Sequence, residues 1–347
     1  MALRKILPKL ALSAGSLLFL GLAAEVTLRA LEPGPFSLLD SNPYRPHPDL
    51  HHVHEPDFQG RWDSTWYSID SRGLRGSELE LGDPEQEYRV ACLGDSCTFG
   101  KGVREVDSWP RQLEALLETE LAGGQRAVVA NLGVNGYSGK DYVARLAEFG
   151  LPLEPDLVVV GYNLNDFPNA IRAVDEVVYQ KRGLRRLLPT GLRDGLGRFA
   201  LYRKARAIYY HLKREQDWAS AEKFAREAGA EDEDSETWQL QRGFLEEIRD
   251  RTREAGGELV VFLFPYESQV YLDGYERRPI ERLAAICSDL EVPFVDLAEE
   301  FRSVAREQPD GPGLFLLGDR YHPSATGYGV VAERVLELIR ERGWLPG

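Results

Sequence analysis

From residue 88 onward, short runs of apolar residues alternate with longer segments in which apolar residues recur every three or four positions. The short runs predict buried β-strands, and the longer segments predict amphipathic helices. Strands are expected at residues 88–93, 127–131, 156–162, 258–264 and 293–296. Helices are expected at residues 108–121, 140–149, 236–255, 277–290 and 329–342. This alternation predicts an α/β fold, in which helices cover both faces of a central parallel sheet.

The first 31 residues have a different pattern. Three basic residues between positions 4 and 9 precede an uncharged run, residues 10–24, which Glu25 and Arg29 then interrupt. A basic flank before an apolar run is typical of a signal peptide or of an uncleaved membrane anchor. The small residues before Glu25 would permit cleavage of a signal peptide. The apolar run is shorter than the roughly 20 residues that a membrane-spanning helix needs. In either case we expect an exported body, membrane-anchored or secreted, because the basic flank favours a cytoplasmic N-terminus.

Residues 32–87 show little periodicity and are rich in Pro, Gly, His, Asp and aromatic residues. This composition predicts a linker followed by an ordered lead-in, which packs on a domain expected at residues 88–345. Four histidines and three acidic residues in this segment could together bind a metal: His47, His51, His52, His54, Asp49, Glu55 and Asp57. Their spacing matches no known zinc motif, so we favour a polar linker without a metal.

One long segment interrupts the alternation of strands and helices. Residues 170–235 predict a helical insert between the third strand and the helix that follows it. Within it, residues 172–215 carry twelve Lys or Arg and four acidic residues, a net charge of +8. A basic, amphipathic insert could be a lid, a surface for an anionic substrate or a membrane-surface contact. We favour the simpler interpretation of a solvated helical insertion packed on the core.

The composition narrows the classes of function. The chain of 347 residues has a formal net charge of −14, and 43% of its residues are hydrophobic. Such a chain can build a large core. It is a poor candidate for binding nucleic acid, because neutralising phosphates requires clustered Lys and Arg. Its three cysteines, Cys92, Cys97 and Cys287, exclude a disulfide framework but leave one bridge possible.

Polar residues follow three of the predicted strands, where parallel sheets place their sites. Ser96 directly follows the first strand in a glycine-flanked turn, which would expose its hydroxyl. Gly136, in the loop after the second strand, would let a backbone N–H approach a ligand closely. Asn163 and Asn165 follow the third strand, where a side-chain amide could donate to an oxyanion. Each feature taken alone is more typical of an ordinary turn.

A fourth polar group lies near the C-terminus. Asp319 and His322 are three residues apart, which places them on one side of a turn. The carboxylate could then accept from one ring nitrogen, while the other ring nitrogen removes the proton of Ser96. The order Ser, Asp, His is chemically sufficient for acyl transfer. The Gly-x-Ser-x-Gly elbow of α/β-hydrolases is absent around Ser96, which disfavours that fold.

Together these four blocks resemble the SGNH (GDSL-type) hydrolase superfamily over about residues 88–340, with the insert outside the resemblance. The resemblance implies a flavodoxin-like three-layer sandwich and a mechanism that needs no metal or other cofactor. It implies that Ser96 is the nucleophile, His322 the base and Asp319 the acid that orients it. The Gly136 N–H and the Asn165 amide resemble the oxyanion donors of the superfamily.

The chain departs from the superfamily pattern at two places. Cys97 stands where many members carry Leu, and the third block is longer than the tight Gly-x-Asn-Asp. The longer block leaves Asn163 as a competitor of Asn165 for the oxyanion role. A minor alternative makes the Cys97 thiol the nucleophile.

The resemblance and the predicted export together imply a serine hydrolase of ester bonds. We expect short-chain acyl groups, such as acetyl groups on glycans or lipids, as its substrates. The same residues could instead transfer the acyl group to a sugar, as polysaccharide O-acetyltransferases do. A third hypothesis is a non-catalytic glycan-binding module. The presence of Ser96, Asp319 and His322 together argues against it, because a pseudoenzyme is free to lose them.

Overall fold

A computed structural model describes residues 2–31, 41–63, 65–169, 199–212, 223–232, 234–309 and 313–346. The predicted insert at 170–235 lies partly outside the described residues, and so does most of the basic stretch 172–215. The N-terminal apolar run belongs to helix α1 (Ala2–Leu31). Within α1, Ala11–Leu31 is long and apolar enough to cross a membrane, a property that signal sequences share.

The lead-in contains two small antiparallel hairpins. Their strands are β1 (Tyr44–Arg45) with β2 (Val53–His54), and β3 (Gln59–Trp62) with β4 (Thr65–Ser68). Leu50, Val53 and Leu74 join one of the two main hydrophobic clusters of the protein. The predicted packing of an ordered lead-in on the domain is therefore present over the described part of this segment.

A five-stranded parallel sheet forms the centre of the protein. Its strands are β5 (Glu87–Gly94), β6 (Arg126–Asn131), β7 (Leu157–Tyr162), β8 (Glu258–Leu263) and β9 (Phe294–Asp296). They lie in the order β6-β5-β7-β8-β9, and every neighbouring pair is parallel. Numbered within the sheet, this is the order 2-1-3-4-5 of flavodoxin-like folds.

Helices cover both faces of this sheet. The helices after α1 are α2 (Ser96–Phe99), α3 (Trp109–Glu120), α4 (Gly139–Arg145), α5 (Asp166–Asn169), α6 (Ala200–Leu212), α7 (Lys223–Ala230), α8 (Glu236–Glu254), α9 (Glu267–Tyr271), α10 (Arg278–Asp289), α11 (Ala298–Glu307) and α12 (Ala325–Arg342). One hydrophobic cluster joins the sheet to α4, α8 and α10, and the other joins it to α3, α11 and α12. The predicted three-layer α/β sandwich is confirmed.

The predicted strands agree with the observed ones to within one residue at each end. Three predicted helices agree equally well, whereas α4 and α12 differ. Helix α4 ends at Arg145, where the chain continues in a wider π turn and a short 3-10 turn. Helix α12 begins four residues before its predicted start, because the Ser324 hydroxyl caps it by accepting from the Gly327 N–H. The sequence pattern did not predict the short helices α2, α5 and α9, nor α11.

The three cysteines are all buried and all free. Cys92 and Cys97 lie in the cluster on one face of the sheet, and Cys287 lies in the cluster on the other face. The single disulfide that the sequence left possible is therefore absent.

Candidate active site

The turn after β5 presents Ser96 at the start of α2. Gly94 ends the strand with φ of +159°, and a Cβ there would lie 2.7 Å from the Gly161 carbonyl oxygen of neighbouring β7. Only glycine allows this approach. The buried Asp95 carboxylate caps α2 by accepting from the Cys97 N–H at 2.7 Å. The backbone thus holds Ser96 in a fixed turn at the carboxyl end of β5, the second strand in the order of the sheet.

A hydrogen-bonded chain joins the three residues that the sequence predicts as the triad. Ser96 Oγ lies 2.8 Å from His322 Nε2, and His322 Nδ1 lies 2.8 Å from Asp319 Oδ2. The other carboxylate oxygen of Asp319 accepts from the backbone N–H groups of Tyr321 and His322. Asp319 therefore fixes both the loop and the imidazole ring, and the ring nitrogen nearest Ser96 can take its proton.

The electrostatic surroundings keep Asp319 ionised. Burial alone would raise the pKa of Asp319, but the charge and hydrogen bond of His322 and the Tyr321 N–H lower it well below its ordinary value. An ionised carboxylate at this position stabilises a positive imidazole ring. The arrangement can therefore support a proton transfer from Ser96 to His322.

Asn163 and Asn165 have different surroundings. The Asn163 amide is fully buried and donates to Cys97 Sγ at 3.4 Å, while its carbonyl oxygen accepts from the Asn165 N–H. The Asn165 amide is partly exposed and donates to Asp95 Oδ2 at 3.5 Å, next to Ser96. Asn165 alone of the two presents its amide at the surface of the site.

Gly136 lies in an exposed loop and has φ of +81°. Its N–H takes part in none of the hydrogen bonds within the described part of the chain. The next residue, Tyr137, and the previous one, Asn135, are both anchored. The position is therefore held in place while its N–H is left available for a ligand.

The sequence did not predict that the lead-in would hold the Gly136 loop. Asn135 Nδ2 donates to the Tyr44 hydroxyl at 2.6 Å, and the backbone carbonyl oxygen of Asn135 accepts from His52 Nε2 at 3.1 Å. On the other side of Gly136, the Tyr137 hydroxyl donates to the His52 carbonyl at 2.6 Å. His52, a histidine that composition assigns to a polar linker, thus helps to fix a loop of the site.

A buried arginine ties the lead-in to the turn that carries Ser96. The Arg75 guanidinium donates to the carbonyl oxygens of Phe99, Gly100 and Val103 at 2.9 to 3.0 Å. It also lies 4.5 Å from the ring centres of both Tyr67 and Phe99. Since its donors reach carbonyls that α2 leaves unpaired, Arg75 acts as a cap for the end of that helix. A single arginine between turn residues gave no sequence signal for this role.

The loop after α2 places a cation near an aromatic ring of the lead-in. Lys101 follows α2, and its Nζ lies 5.7 Å from the ring centre of the half-buried Trp62 and 3.5 Å from Asp63. The charge of Lys101 also contributes to lowering the pKa of Asp319. Trp62 and Asp63 of the lead-in therefore contact a lysine whose charge acts on the candidate site.

The histidines of the lead-in have separate protein partners. His47 pairs with Glu148, His51 with Asp141, and His54 with the Gly73 carbonyl. Among the residues that the structure describes, no group of three His, Cys, Asp or Glu side chains could hold a metal ion.

The buried His54 predicts a loss of stability in acid. Burial, assisted by the charge of Arg145, holds the pKa of His54 well below its ordinary value of 6.5. The unfolded chain therefore takes up a proton near that pH, whereas the folded chain does not. We expect His54 to reduce the free energy of unfolding by about 1.4 kcal/mol per pH unit below that point. Urea unfolding of the protein and of His54→Gln between pH 7.5 and about 5 measures this, and equal slopes would contradict it.

The surroundings of Cys97 make its thiol unsuitable as a nucleophile. Its side chain is fully buried, its Sγ lies 3.5 Å from the Tyr321 carbonyl oxygen, and burial raises the pKa of its thiol well above the ordinary value. A thiol that is neutral and inaccessible is a poor nucleophile.

Comparison with solved structures finds similar folds at low identity. A crystal structure of the acetyl xylan esterase AlAXEase is 14% identical, covers 72% of this chain and 99% of its own, and has a TM-score of 0.43. An acetylxylan esterase from Geobacillus stearothermophilus is 16% identical, covers 75% and 97%, and has a TM-score of 0.42. A lipolytic G-D-S-L family protein from Veillonella parvula is 14% identical, covers 73% and 98%, and has a TM-score of 0.41. At these TM-scores the likeness carries no inference about substrate.

The comparison with models of protein families identifies the family of this chain. No curated protein sequence matches the chain. The model of the GDSL-like lipase/acylhydrolase family matches residues 92–330, which include Ser96, Asp319 and His322. Because this match covers more than half of the protein, the chain belongs to the GDSL-like lipase/acylhydrolase family and is a carboxylic ester hydrolase.

Proposed function

We propose that the protein is a serine esterase in which Ser96 attacks the ester, His322 is the general base and acid, and Asp319 orients His322. The observation that carries the proposal is the pair of 2.8 Å contacts joining Ser96 Oγ to His322 and His322 to Asp319. His322 takes the Ser96 proton as Oγ attacks the carbonyl carbon, and it returns that proton to the leaving alcohol. Water then attacks the acyl-enzyme in the reverse sense and releases the acid.

The negative oxygen formed during attack requires donors. We propose that the N–H groups of Ser96 and Gly136 and the amide of Asn165 supply them. Each such donor contributes roughly 3 kcal/mol to transition-state stabilisation. The partly exposed amide of Asn165, held beside Ser96 through Asp95, supports this assignment over Asn163.

Asn165→Ala should lower kcat by about 10²- to 10³-fold with little change in KM, because the lost donor acts mainly in the transition state. Asn163→Ala should instead lower the thermal midpoint, because a buried amide that supports the Asn165 N–H is removed. Steady-state kinetics and thermal unfolding of the two variants separate these effects. A larger loss of kcat in a stably folded Asn163→Ala than in Asn165→Ala would reverse the assignment.

We propose acetyl or similarly short acyl esters on a glycan as the substrates. The half-buried Trp62 ring supports this: it lies near Lys101, whose charge acts on Asp319, and an aromatic face gives a sugar ring a flat apolar surface to stack on. Neither a metal nor an organic cofactor enters this mechanism.

Hydrolysis of p-nitrophenyl acetate, butyrate and octanoate by the full chain tests this proposal. We expect kcat/KM to fall as the acyl chain lengthens. A preference for octanoate would contradict the short-chain assignment. A burst of one equivalent of p-nitrophenol without turnover would show that water is not the acceptor, and transfer to a sugar hydroxyl would replace hydrolysis.

We also propose that the body of the protein, with its hydrolase domain at residues 88–345, is exported. The basic residues before the apolar run of α1 support this orientation. An alkaline phosphatase reporter fused to the C-terminus, which is active only after export, should be active. An inactive reporter on a stable fusion would contradict the orientation.

A further inference from the structure

Helix α1 is joined to helix α6 by a buried carboxylate. The Glu25 side chain accepts from the backbone N–H groups of Ala200 and Leu201 at 2.8 and 2.9 Å, at the first turn of α6. Arg29 donates to the same carboxylate at 2.7 Å, and both side chains are buried. An acidic side chain that satisfies the free N–H groups of a helix stabilises that helix. The two charged residues that interrupt the apolar run therefore form the contact that positions α6 against α1.

The contact covers one face of α1 and leaves the others bare. The covered or partly covered positions are 21, 24, 25, 28 and 29, which fall on one stripe of a helix. Leu17, Leu18 and Phe19, one to two turns earlier, are largely exposed. Cleavage near the small residues before Glu25 would leave the α6 cap on a loose chain end or remove it. The cap on α6 therefore depends on an uncleaved α1.

Helix α6 itself presents an apolar face to the outside. Leu201, Ile208 and Leu212 are exposed by 44%, 51% and 79%, and they recur at helical spacing with the exposed Ala205. Lys204 is exposed beside this face. A surface helix surrounded by water would direct such apolar residues toward the protein core. The exposed face of α6 is therefore suited to contact another apolar surface whose boundary is polar.

We propose that α1 is an uncleaved membrane anchor and that the exposed face of α6 lies on the surface of the bilayer that α1 spans. Continuity identifies the occupant, because α6 is seated directly on the end of the apolar helix. Within the 30 residues of α1, the segment from residue 6 to residue 24 extends about 28 Å. This segment can cross a hydrocarbon core of about 30 Å, because the Lys9 side chain can extend along the helix to the headgroups. The Glu25–Arg29 end then emerges at the interface, where α6 begins.

This seating brings the bilayer close to the candidate site. The other side of α6 packs on Gly318, where a Cβ would lie 2.8 Å from the Ala207 Cα. Gly318 directly precedes Asp319. One helix diameter, about 10 Å, therefore separates the Asp319 loop from the membrane surface. The inference stands on packing alone and holds whether or not the serine mechanism does.

Spin labels on the full chain test the α6 contact. The native cysteines are buried, so Ile208→Cys can be labelled selectively in vesicles of phosphatidylethanolamine and phosphatidylglycerol. Glu254→Cys is the matched control, since Glu254 is exposed near the amino end of β8, at the end of the sheet opposite the candidate site. We expect the ratio of oxygen to nickel-chelate accessibility to be several-fold higher at position 208. Equal, water-like ratios at both positions would overturn the contact.

The mass of the mature protein tests retention of α1. Intact-mass measurement of the protein extracted from the membranes of producing cells should give a chain that still contains residues 2–31. A chain that begins after residue 24 would overturn the proposal. Glu25→Gln adds a second test, because it keeps the size of the side chain but weakens the cap on α6. It should lower the accessibility ratio at position 208 toward that of the control, and an unchanged ratio would show that Glu25 does not seat α6.

Discussion

Ser96→Ala should reduce kcat for ester hydrolysis by at least about 10⁴-fold, to a rate set by the remaining binding and oxyanion groups. Without Oγ no acyl-enzyme can form. His322 would then have only water to activate, at a position built for a serine oxygen. Steady-state hydrolysis of p-nitrophenyl acetate by the wild type and the variant at equal concentration measures the loss.

The folded state of Ser96→Ala should remain intact. Among the described residues, the hydrogen-bond partners of Ser96 Oγ are His322 and Asp95, and the cap of α2 comes from the Asp95 side chain. Ser303→Ala, on the exposed surface of α11, is the matched control and should keep full activity. Activity of Ser96→Ala within tenfold of wild type would remove Ser96 from the nucleophile role. Cys97 would remain an unsuitable replacement because it is buried.

Asp319→Asn should lower kcat by about 10⁴-fold, with KM little changed. An asparagine can keep the two backbone contacts of Oδ1, so the loop should hold its shape. Its amide would instead meet His322 Nδ1 as a donor, which favours the ring tautomer that carries its proton on Nε2. That tautomer cannot accept the Ser96 proton, and no carboxylate remains to stabilise a charged ring.

The pH dependence of Asp319→Asn provides a further check. Wild-type Asp319 is ionised over the whole working range, since its pKa lies well below the ordinary value. Any fall in the wild-type rate at low pH should therefore have a cause other than protonation of Asp319. Above neutral pH, hydroxide can partly replace the missing base in the variant, so its relative activity should rise with pH. Asp273→Asn, at a fully exposed position, is the control. Wild-type kcat in a folded Asp319→Asn would contradict the role of the carboxylate.

The central sheet could be predicted from the sequence because its strands are buried on both faces. Such strands are nearly continuous apolar runs, as in Leu157–Tyr162, and the glycines and polar residues that follow them mark their ends. The same logic located the loops that carry Ser96, Gly136 and Asn165, since parallel strands gather their carboxyl ends at one edge. Local pattern therefore predicts both the layers and the neighbourhood of the site.

The remaining features depend on contacts between residues far apart in the chain. Arg75 caps α2 across 24 to 28 positions, and Glu25 caps α6 across about 175. Neither leaves a periodic signature, because one polar side chain suffices for each. The resemblance already favoured Asn165 over Asn163, and the coordinates add support because they show which of the two residues is buried. Sequence reasoning failed where a single long-range hydrogen bond decided the structure.

The most direct test of the account is covalent labelling of the full chain with diisopropyl fluorophosphate, followed by intact-mass and peptide mass analysis. We predict one adduct, located on Ser96, with loss of ester hydrolysis in proportion to labelling. His322→Ala should label far more slowly because no base activates the hydroxyl. Hydrolysis that persists after complete modification of Ser96, or an adduct on another residue accompanied by inactivation, would contradict the proposed mechanism.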